Sequence, residues 1–462
     1  MNTENLSYHV IKEASKMIRK AICFVLFLII SSAAYSIPDD ETQKKNRDIL
    51  LYGLESDIIP LLITLESEDE RVFEEEIWRL FETTRSTTLR DAVINYYAHT
   101  KNTVISDFSL QLLSDPLDEK RSTVLAVIEY VSALKIQDAA TSMRDLIESG
   151  TSEYRDQAIK ALGILGDSED ALYLLDYLDS EIDTDEKTRL IIRQNIMAAL
   201  GEIGAEESWE RLNGIAGDED ENAYIRASAG IALGKIGKPE SLSILLSMFA
   251  ESDPVIRSAA VKAVSYYNTP ESEALILEAF RDSYYKVRLE AIEAAETKKL
   301  QTAVPYLMYR AENDPEETVK LRSYDALAKI DSQETLQWLQ QKFSDDKRSE
   351  KYRLKAASVL LEHHASVFFP SFEKTLIDAL QTDKNKTFRN ELIKLFQKNK
   401  HVHTARLASA FLDHSDPGIK SAGLDIYEKN TFPELKTTVE KIASDEKLGA
   451  VSRRAKKILG IQ

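Results

Sequence analysis

Histidines have the clearest potential for metal chemistry, and they are concentrated late in the chain. Five of the seven occur there: His363, His364, His401, His403 and His414. The pair His401-Val402-His403 would offer two imidazoles to zinc or copper if that segment were extended. No carboxylate completes the set at a known ligand spacing, so we expect surface or interface histidines and no metal site.

The sequence gives little support for nucleophilic catalysis or for a phosphate-binding loop. The one cysteine, Cys23, lies inside an apolar run, and no Gly-x-Ser-x-Gly motif is present to offer a serine nucleophile. The glycines that recur, Gly201, Gly204, Gly234 and Gly237, are interpreted as helix ends rather than as a phosphate-binding loop. We therefore expect no catalytic residue and no cofactor.

Three clusters of like charge could either bind ions of opposite charge or be solvated ends of helices. The acidic segments Glu66–Glu76 and Asp218–Glu221 would attract calcium, but neither has the spaced oxygen ligands and turn glycine of an EF-hand loop. The basic segment Arg453–Lys457 would suit phosphate on a lipid headgroup or a nucleic acid. We expect solvated helix ends in all three places and no nucleic-acid partner.

Tyrosines form adjacent pairs at 96–97, 266–267 and 284–285. Neighbouring positions on a helix do not share a face, which predicts that at least one tyrosine of each pair is exposed or lies at the edge of a groove. Exposed tyrosines are favoured at protein interfaces. Tyr266, Tyr267 and Tyr285 are therefore the predicted partner-binding aromatics.

The elements that must position these side chains follow from an arginine that recurs near the start of alanine-rich stretches. It occupies Arg90, Arg121, Arg155, Arg193, Arg226, Arg257, Arg288, Arg322, Arg353 and Arg389, with Lys420 in the same place. Five of the ten gaps are 31 residues, and the others run from 33 to 38. A period of this size predicts a stacked repeat architecture.

Residues 239–267 show what one repeat is made of. An apolar stripe of a first helix is formed by Leu242, Leu245, Leu246 and Phe249. Asp253-Pro254 then starts a second helix, because aspartate caps a helix and proline is tolerated at the first helical position. Alanines recur three and six residues after the arginine in several repeats. Each repeat is therefore predicted to be a pair of helices.

Helix, Asp-Pro-x-x-Arg, alanine-rich helix and Leu-Gly-x-Ile-Gly together resemble HEAT repeats, particularly the short bacterial type named after phycobilin lyases. The match is close at 152–166, 188–204, 222–237 and 253–265, fair at 284–296, 318–330 and 349–361, and weaker at both ends. The resemblance implies an all-α fold, a right-handed α-solenoid of about ten to twelve HEAT-like repeats.

The same resemblance implies that the aspartate and the arginine form a structural ladder between neighbouring repeats. The residues in those places are Asp253, Arg257, Arg226, Arg288, Asp416 and Lys420. In such folds the second helices form most of a concave face. Lys235, Lys262 and Glu290 therefore join the three tyrosines as predicted contacts to a protein or peptide partner.

The first 36 residues stand apart from the repeats. Lys16, Arg19 and Lys20 precede an apolar run, 21–34, and Ala34-Tyr35-Ser36 offers small residues before a cleavage point. This is the pattern of a secretory signal peptide, and the run is shorter than a membrane-spanning helix needs. An uncleaved N-terminal anchor is the alternative. An exported chain that has lost its one cysteine depends on packing rather than on disulfides.

The predicted organisation is a signal segment (1–36), irregular N-terminal capping helices (37–86), the solenoid (87–452) and a C-terminal cap (453–462). The distribution of charge along the chain does not follow these boundaries. Residues 37–345 carry 33 basic and 60 acidic side chains, whereas residues 346–462 carry 22 basic and 15 acidic ones. Such a separation affects the steering of partners and association rather than the fold.

A long repeat without recognisable catalytic chemistry favours an exported scaffold, periplasmic or associated with the cell envelope. It is predicted to be no enzyme and to bind a protein or peptide along its concave face. The first alternative is a membrane-tethered structural protein, held through residues 21–34 or through the basic C-terminal third on anionic lipid. The second is a lyase-like enzyme subunit, since the resemblance extends to chromophore lyases.

Overall fold

A computed structural model describes residues 40–461 apart from 117, 150–151, 181–183, 382–384, 399–403 and 431. This described part contains twenty-five α-helices and no strand. The signal segment and the pair His401 and His403 lie outside the described residues. Helices alternate as first and second members of successive pairs, which confirms the predicted all-α solenoid.

The chain divides into two compact units, one ending at Ala161 and the other beginning at Leu162. The first unit holds α1 (Asp40–Tyr52), α2 (Glu55–Ser67), α3 (Glu74–Thr83), α4 (Thr87–Thr100), α5 (Ser106–Ser114), α6 (Arg121–Leu134), α7 (Ala140–Glu148) and most of α8 (Ser152–Leu165).

The second unit begins with α9 (Ser168–Asp179), α10 (Glu186–Ile203), α11 (Trp209–Gly217), α12 (Ala223–Ile236), α13 (Leu242–Phe249), α14 (Pro254–Val264), α15 (Pro270–Ala279), α16 (Tyr285–Thr297), α17 (Val304–Asn313) and α18 (Glu317–Ile330). It continues with α19 (Gln333–Ser344), α20 (Glu350–Leu380), α21 (Lys386–Lys398), α22 (Ala405–Asp413), α23 (Pro417–Asn430), α24 (Lys436–Ser444) and α25 (Ala450–Ile458).

Helix pairs extend to both ends of the described residues. Within the segment predicted as irregular capping helices, α1 and α2 pack together and α3 already packs on α4. At the other end, α25 packs on α24 and α23 and begins before the predicted C-terminal cap. The apolar stripes of these terminal helices therefore continue the repeat, although their spacing does not.

The recurring glycines have two different roles. Gly204 and Gly237 end α10 and α12 in the left-handed conformation, at φ +71° and +74°, which glycine adopts without strain. Gly201 and Gly234 lie inside those helices, so their interpretation as helix ends was wrong. A Cβ on Gly234 would lie 2.6 Å from both Cα and O of Ala263. The missing side chain therefore lets α14 pack closely on α12.

Tyr96 and Tyr97 on α4 are both buried, contrary to the expectation that one of each tyrosine pair is exposed or lies at the edge of a groove. The reason is that α4 is covered by α3, α2 and α6, so side chains on two of its faces meet protein. The Tyr96 hydroxyl donates to the carbonyl of Glu70 at 2.7 Å. Burial, followed by the nearby charge of Glu74, raises the pKa of Tyr96 to about 12.

One helix, α20, serves two successive pairs. It runs for 31 residues and contains non-helical dihedral angles at His364, φ −138° and ψ 33°. The sequence around this kink has neither a glycine nor an Asp-Pro break, so no loop forms between the pairs. His364 Nε2 lies 3.0 Å from the carbonyl oxygen of Ala328 and holds the kink against α18.

Candidate partner-binding surface

The recurring arginine makes hydrogen bonds in two directions. From α14, Arg257 Nη1 donates to the carbonyl oxygens of Glu251 and Ser252, at 3.0 and 2.7 Å, just past the end of the preceding first helix. Its Nε and Nη2 reach the carboxylate of Asp282 in the next repeat at 2.7 and 2.9 Å. Burial alone would raise the pKa of Asp282, but the hydrogen bonds and charge of Arg257 outweigh it and lower that pKa. The arginine therefore satisfies carbonyls left without helical partners and fastens the next loop.

Two further arginines repeat this arrangement. Arg226 reaches Glu251 at 3.0 and 2.6 Å, and Arg288 reaches Asp314 at 2.8 and 2.7 Å. Each pair spans 25 or 26 residues, as does the pair of Arg257 and Asp282. The acid lies after the first helix of the following repeat in each case.

The aspartates and the lysine predicted for the ladder have more local roles. Asp253 and Asp416 each accept a hydrogen bond of 2.7 Å from an N–H in the first turn of their own helix. Lys420 donates to the carbonyl oxygen of Leu412 at 2.6 Å, which reproduces the arginine's contact with its own repeat. These aspartates are helix caps, and the bonds between repeats are made by other acids.

Arg322 departs from the pattern because it pairs backwards, with Glu296 at 2.8 Å. The segment 326–330 reads ALAKI and matches ALGKI at 232–236, which places Lys320 at the position of the recurring arginine. Lys320 Nζ lies 5.7 Å from the ring centroid of Tyr352. The equivalent position in this repeat is therefore Lys320, two residues before the arginine that the spacing of arginines had selected.

One face of every second helix can be located from the recurring arginine. Residues at −2, +2, +5 and +9 from it fall on the same side, because intervals of 4, 7 and 11 residues return to one face of an α-helix. We call these positions, which lie on α10, α12, α14 and α16 and in the turn that follows α14, the second-helix surface. It contains Lys235, Lys262, Glu290 and Tyr266 of the predicted contacts, and it does not contain Tyr267 or Tyr285.

Charges on and beside this surface are paired between repeats. Lys235 pairs with Glu202 of the preceding second helix, and Lys262 pairs with Glu293 of the following one. Lys329 on α18 lies 2.8 Å from Glu296 on α16. The second helices therefore present alternating charges that largely balance, in contrast to the acidic character of the surrounding sequence.

Glu290 is the one predicted contact residue whose environment disfavours its charged form. Its Oε2 is buried and has no hydrogen-bond partner among the described residues. Burial, followed by the charge of Glu293, raises the pKa of Glu290, while Lys262 acts in the opposite direction. This carboxyl is better placed to affect stability than to reach a partner.

The three predicted tyrosines have separate environments. Tyr266 is 44% exposed on the second-helix surface, whereas Tyr267 is only 6% exposed and donates its hydroxyl to the carbonyl of Lys238 at 2.9 Å. Tyr285 is half-buried at the start of α16, with its ring 5.3 Å from that of Tyr284. Of the three, Tyr266 is the side chain that offers a partner most of its ring.

Sequence reasoning missed two exposed apolar residues on this surface. Ile191 is 40% exposed and Tyr224 is 53% exposed, and each lies two residues before the recurring arginine of its helix. The signal that would have found them is their common helical face with Glu202 and Lys235. Together with Tyr266 they are the exposed large apolar side chains of the second-helix surface, whereas Ile231 and Val255 at equivalent positions are half-buried.

The other charged candidates are already paired with side chains of this chain. Arg193 holds Glu221 at 3.1 and 2.5 Å, and this hydrogen bonding lowers the pKa of Glu221. Arg454 of the basic segment pairs with Asp425. Among the described residues, no group of three or more His, Cys, Asp or Glu side chains is arranged to hold a metal ion. No helix in the described ranges has the length and apolar character needed to span a bilayer.

Stacked helix pairs joined by an arginine ladder define a HEAT-type solenoid. The profile of the family described as spirochaete HEAT repeat protein matches residues 50–458. The chain therefore belongs to that family, which confirms the predicted HEAT-repeat character. A comparison with curated proteins finds no significant match.

Solved structures resemble the chain at low sequence identity. The E. coli protein YIBA is 16% identical, with 58% of this chain and 96% of that chain covered and a TM-score of 0.36. Human deoxyhypusine hydroxylase is 18% identical, with 59% and 98% covered and a TM-score of 0.24. Kap121p is 10% identical, with 91% and 57% covered and a TM-score of 0.40. Likenesses of this strength say nothing of function.

Proposed function

We propose that this protein is an exported, non-enzymatic HEAT-repeat scaffold that binds a protein or peptide partner through the second-helix surface. The observation that carries the proposal is that exposed apolar side chains and paired charges share one face of adjacent second helices. Tyr224, Tyr266 and Ile191 would act as apolar anchors, and Lys235 and Lys262 would contact polar groups of the partner.

The packing of the helices supports the second-helix surface as the concave face. The second helices α10, α12 and α14 pack directly on one another, whereas the first helices α11, α13 and α15 make only marginal contacts with one another. A stack in which one layer is more closely spaced than the other curves towards the closer layer. A partner lying along the second helices would then contact several repeats at once.

The energetics also favour the tyrosines as anchors. Tyrosine is enriched among residues whose truncation costs more than about 2 kcal/mol of binding energy. The balanced ion pairs add little affinity by themselves, because exposed pairs contribute only about 0–1 kcal/mol. They hold long side chains in place, which favours a partner segment of mixed charge with apolar residues between its charges.

The experiment that tests the proposal is affinity capture from an envelope extract of source cells, with residues 37–462 as bait. A second bait carries Tyr224→Ala and Tyr266→Ala, and a control bait carries Tyr52→Ala, which changes a tyrosine that is 81% exposed in the first unit. We expect one partner on the unmodified and control baits and its loss from the double variant. A partner kept by all three would place the site elsewhere. Binding to anionic liposomes with no protein captured would favour the membrane-tethered alternative.

Export is tested by the N-terminus of the protein isolated from fractionated cells. The first described helix begins at Asp40, so cleavage after Ser36 would leave every described helix whole. We expect a mature chain that begins at Ile37 in the envelope or periplasmic fraction. A chain that retains residues 1–36 would support the uncleaved anchor instead.

A further inference from the structure

The first-helix side of the second unit contains a groove that the second-helix surface does not include. It has a volume of about 430 Å³ and is lined by Arg281, Pro305, Tyr306, Tyr309 and Arg310. Arg281 follows the end of α15, and the other four residues lie on α17. The lining contains two cations, two aromatic rings and no carboxylate.

Both arginines lie against tyrosine rings. The guanidinium carbon of Arg281 is 5.3 Å from the ring centroid of Tyr306, and that of Arg310 is 5.5 Å from the ring centroid of Tyr309. A guanidinium placed on a ring face keeps the N–H donors in its own plane, and their fork matches a carboxylate. Tyr309 is 59% exposed, so its ring also offers an apolar surface to a ligand.

The positive charge of the groove is only partly neutralised. Arg310 is 3.4 Å from Asp314, but two oxygens of that carboxylate are already held by Arg288 at 2.8 and 2.7 Å. One carboxylate therefore serves two arginines. Within the described part of the chain, no carboxylate lies within ion-pair distance of Arg281. The groove thus carries an excess of positive charge in residues 37–345, where acidic side chains outnumber basic ones by 60 to 33.

We infer that this groove is a second docking site, which binds an acidic segment of a partner protein. Carboxylates of that segment pair with Arg281 and Arg310, and a neighbouring apolar side chain lies on Tyr309 and Pro305. A free inorganic anion would use the arginines alone, whereas an acidic peptide uses the cations and the exposed ring together. Docking here leaves the second-helix surface open to another partner.

The test is a fluorescence anisotropy titration of the full chain with a labelled peptide of alternating glutamate and leucine. Arg281→Gln and Tyr309→Ala change exposed side chains, and each is expected to weaken binding about tenfold. The first removes one charge-assisted contact and the second removes apolar contact area. Arg406→Gln is the matched control, since it removes an exposed arginine from the first helix α22 outside the groove. The control is expected to bind as tightly as the unmodified chain.

Four results would overturn the inference. Equal affinity of the unmodified chain and both groove variants would remove the site, and an equal loss with Arg406→Gln would reduce it to a general charge effect. Equally tight binding of a peptide with glutamine in place of glutamate would exclude recognition of carboxylates. Complete displacement by inorganic phosphate, together with no effect of Tyr309→Ala, would assign the groove to a free anion.

Discussion

Arg288 and Asp314 form a buried ion pair between neighbouring repeats, with Nε to Oδ2 at 2.8 Å and Nη2 to Oδ1 at 2.7 Å. The two residues are 4% and 1% exposed. The remaining terminal nitrogen of Arg288 donates to the carbonyl oxygens of Asp282 and Ser283 at 2.9 and 3.1 Å. One side chain thus fastens the loop of its own repeat and the loop of the next.

Loss of this arginine should be costly. Arg288→Met leaves the buried carboxylate of Asp314 with one backbone hydrogen bond, from Glu316 N–H at 2.9 Å, and one long contact to Arg310. We expect the free energy of unfolding to fall by about 3–5 kcal/mol. Lys351→Met is the matched control, because it breaks an exposed pair between repeats, 2.6 Å from Lys351 to Glu317, and should cost less than about 1 kcal/mol. Urea denaturation followed by circular dichroism measures both. Similar small losses in the two variants would show that the ladder does not hold the repeats together.

The adjacent tyrosines Tyr266 and Tyr267, which follow the end of α14, should affect binding and stability separately. Tyr267→Phe removes a buried hydroxyl that bonds to the carbonyl of Lys238, and it should cost about 1 kcal/mol of stability without affecting capture of the partner. Tyr266→Ala should change stability by less than about 0.5 kcal/mol, since the side chain is exposed, and should weaken capture. Thermal unfolding and the affinity capture described above measure the two effects. Reversed results would exclude Tyr266 from the binding surface.

The carboxyl of Glu290 should make stability depend on pH. Its pKa in the folded chain is raised, so the charged form disfavours folding. This cost is absent below the unfolded pKa of about 4.3 and is complete once the pH exceeds the raised folded value. Glu290→Gln should therefore be more stable than the unmodified chain at pH 7, and the difference should vanish towards pH 3. Unfolding curves across this pH range measure it, and a difference independent of pH would contradict the assignment.

Replacing Gly234 or Gly237 with alanine should lower the stability of the fold, for a different reason at each position. Gly234→Ala places a methyl group against the backbone of Ala263 and should cost about 1–3 kcal/mol through overpacking. Gly237→Ala has room for its methyl group but keeps a positive φ, which should cost about 1 kcal/mol. Denaturant unfolding compares the two. A larger loss at Gly237 would mean that α12 and α14 can move apart without cost.

Much of the fold could be predicted from the sequence because its signals are local. The apolar stripe of Leu242 and Leu245, the cap at Asp253 and the left-handed glycine at 237 are each contained within one or two turns of chain. Their recurrence predicted helix pairs, a stack of repeats and the HEAT-type family. The resemblance to HEAT repeats then implied that Arg257 is a ladder residue, and its position within the repeat does not depend on its partner.

The contacts between repeats were decided only by the tertiary structure. The acids that receive the arginines, Glu251, Asp282 and Asp314, lie in loops and differ in type, so no motif marks them. Tyr266 and Tyr267 are adjacent residues that follow the end of α14, and the packing of this segment on the preceding repeat determines which of them is exposed. Sequence determines which faces a helix has, but only the rotation and spacing of neighbouring helices determine what each face meets.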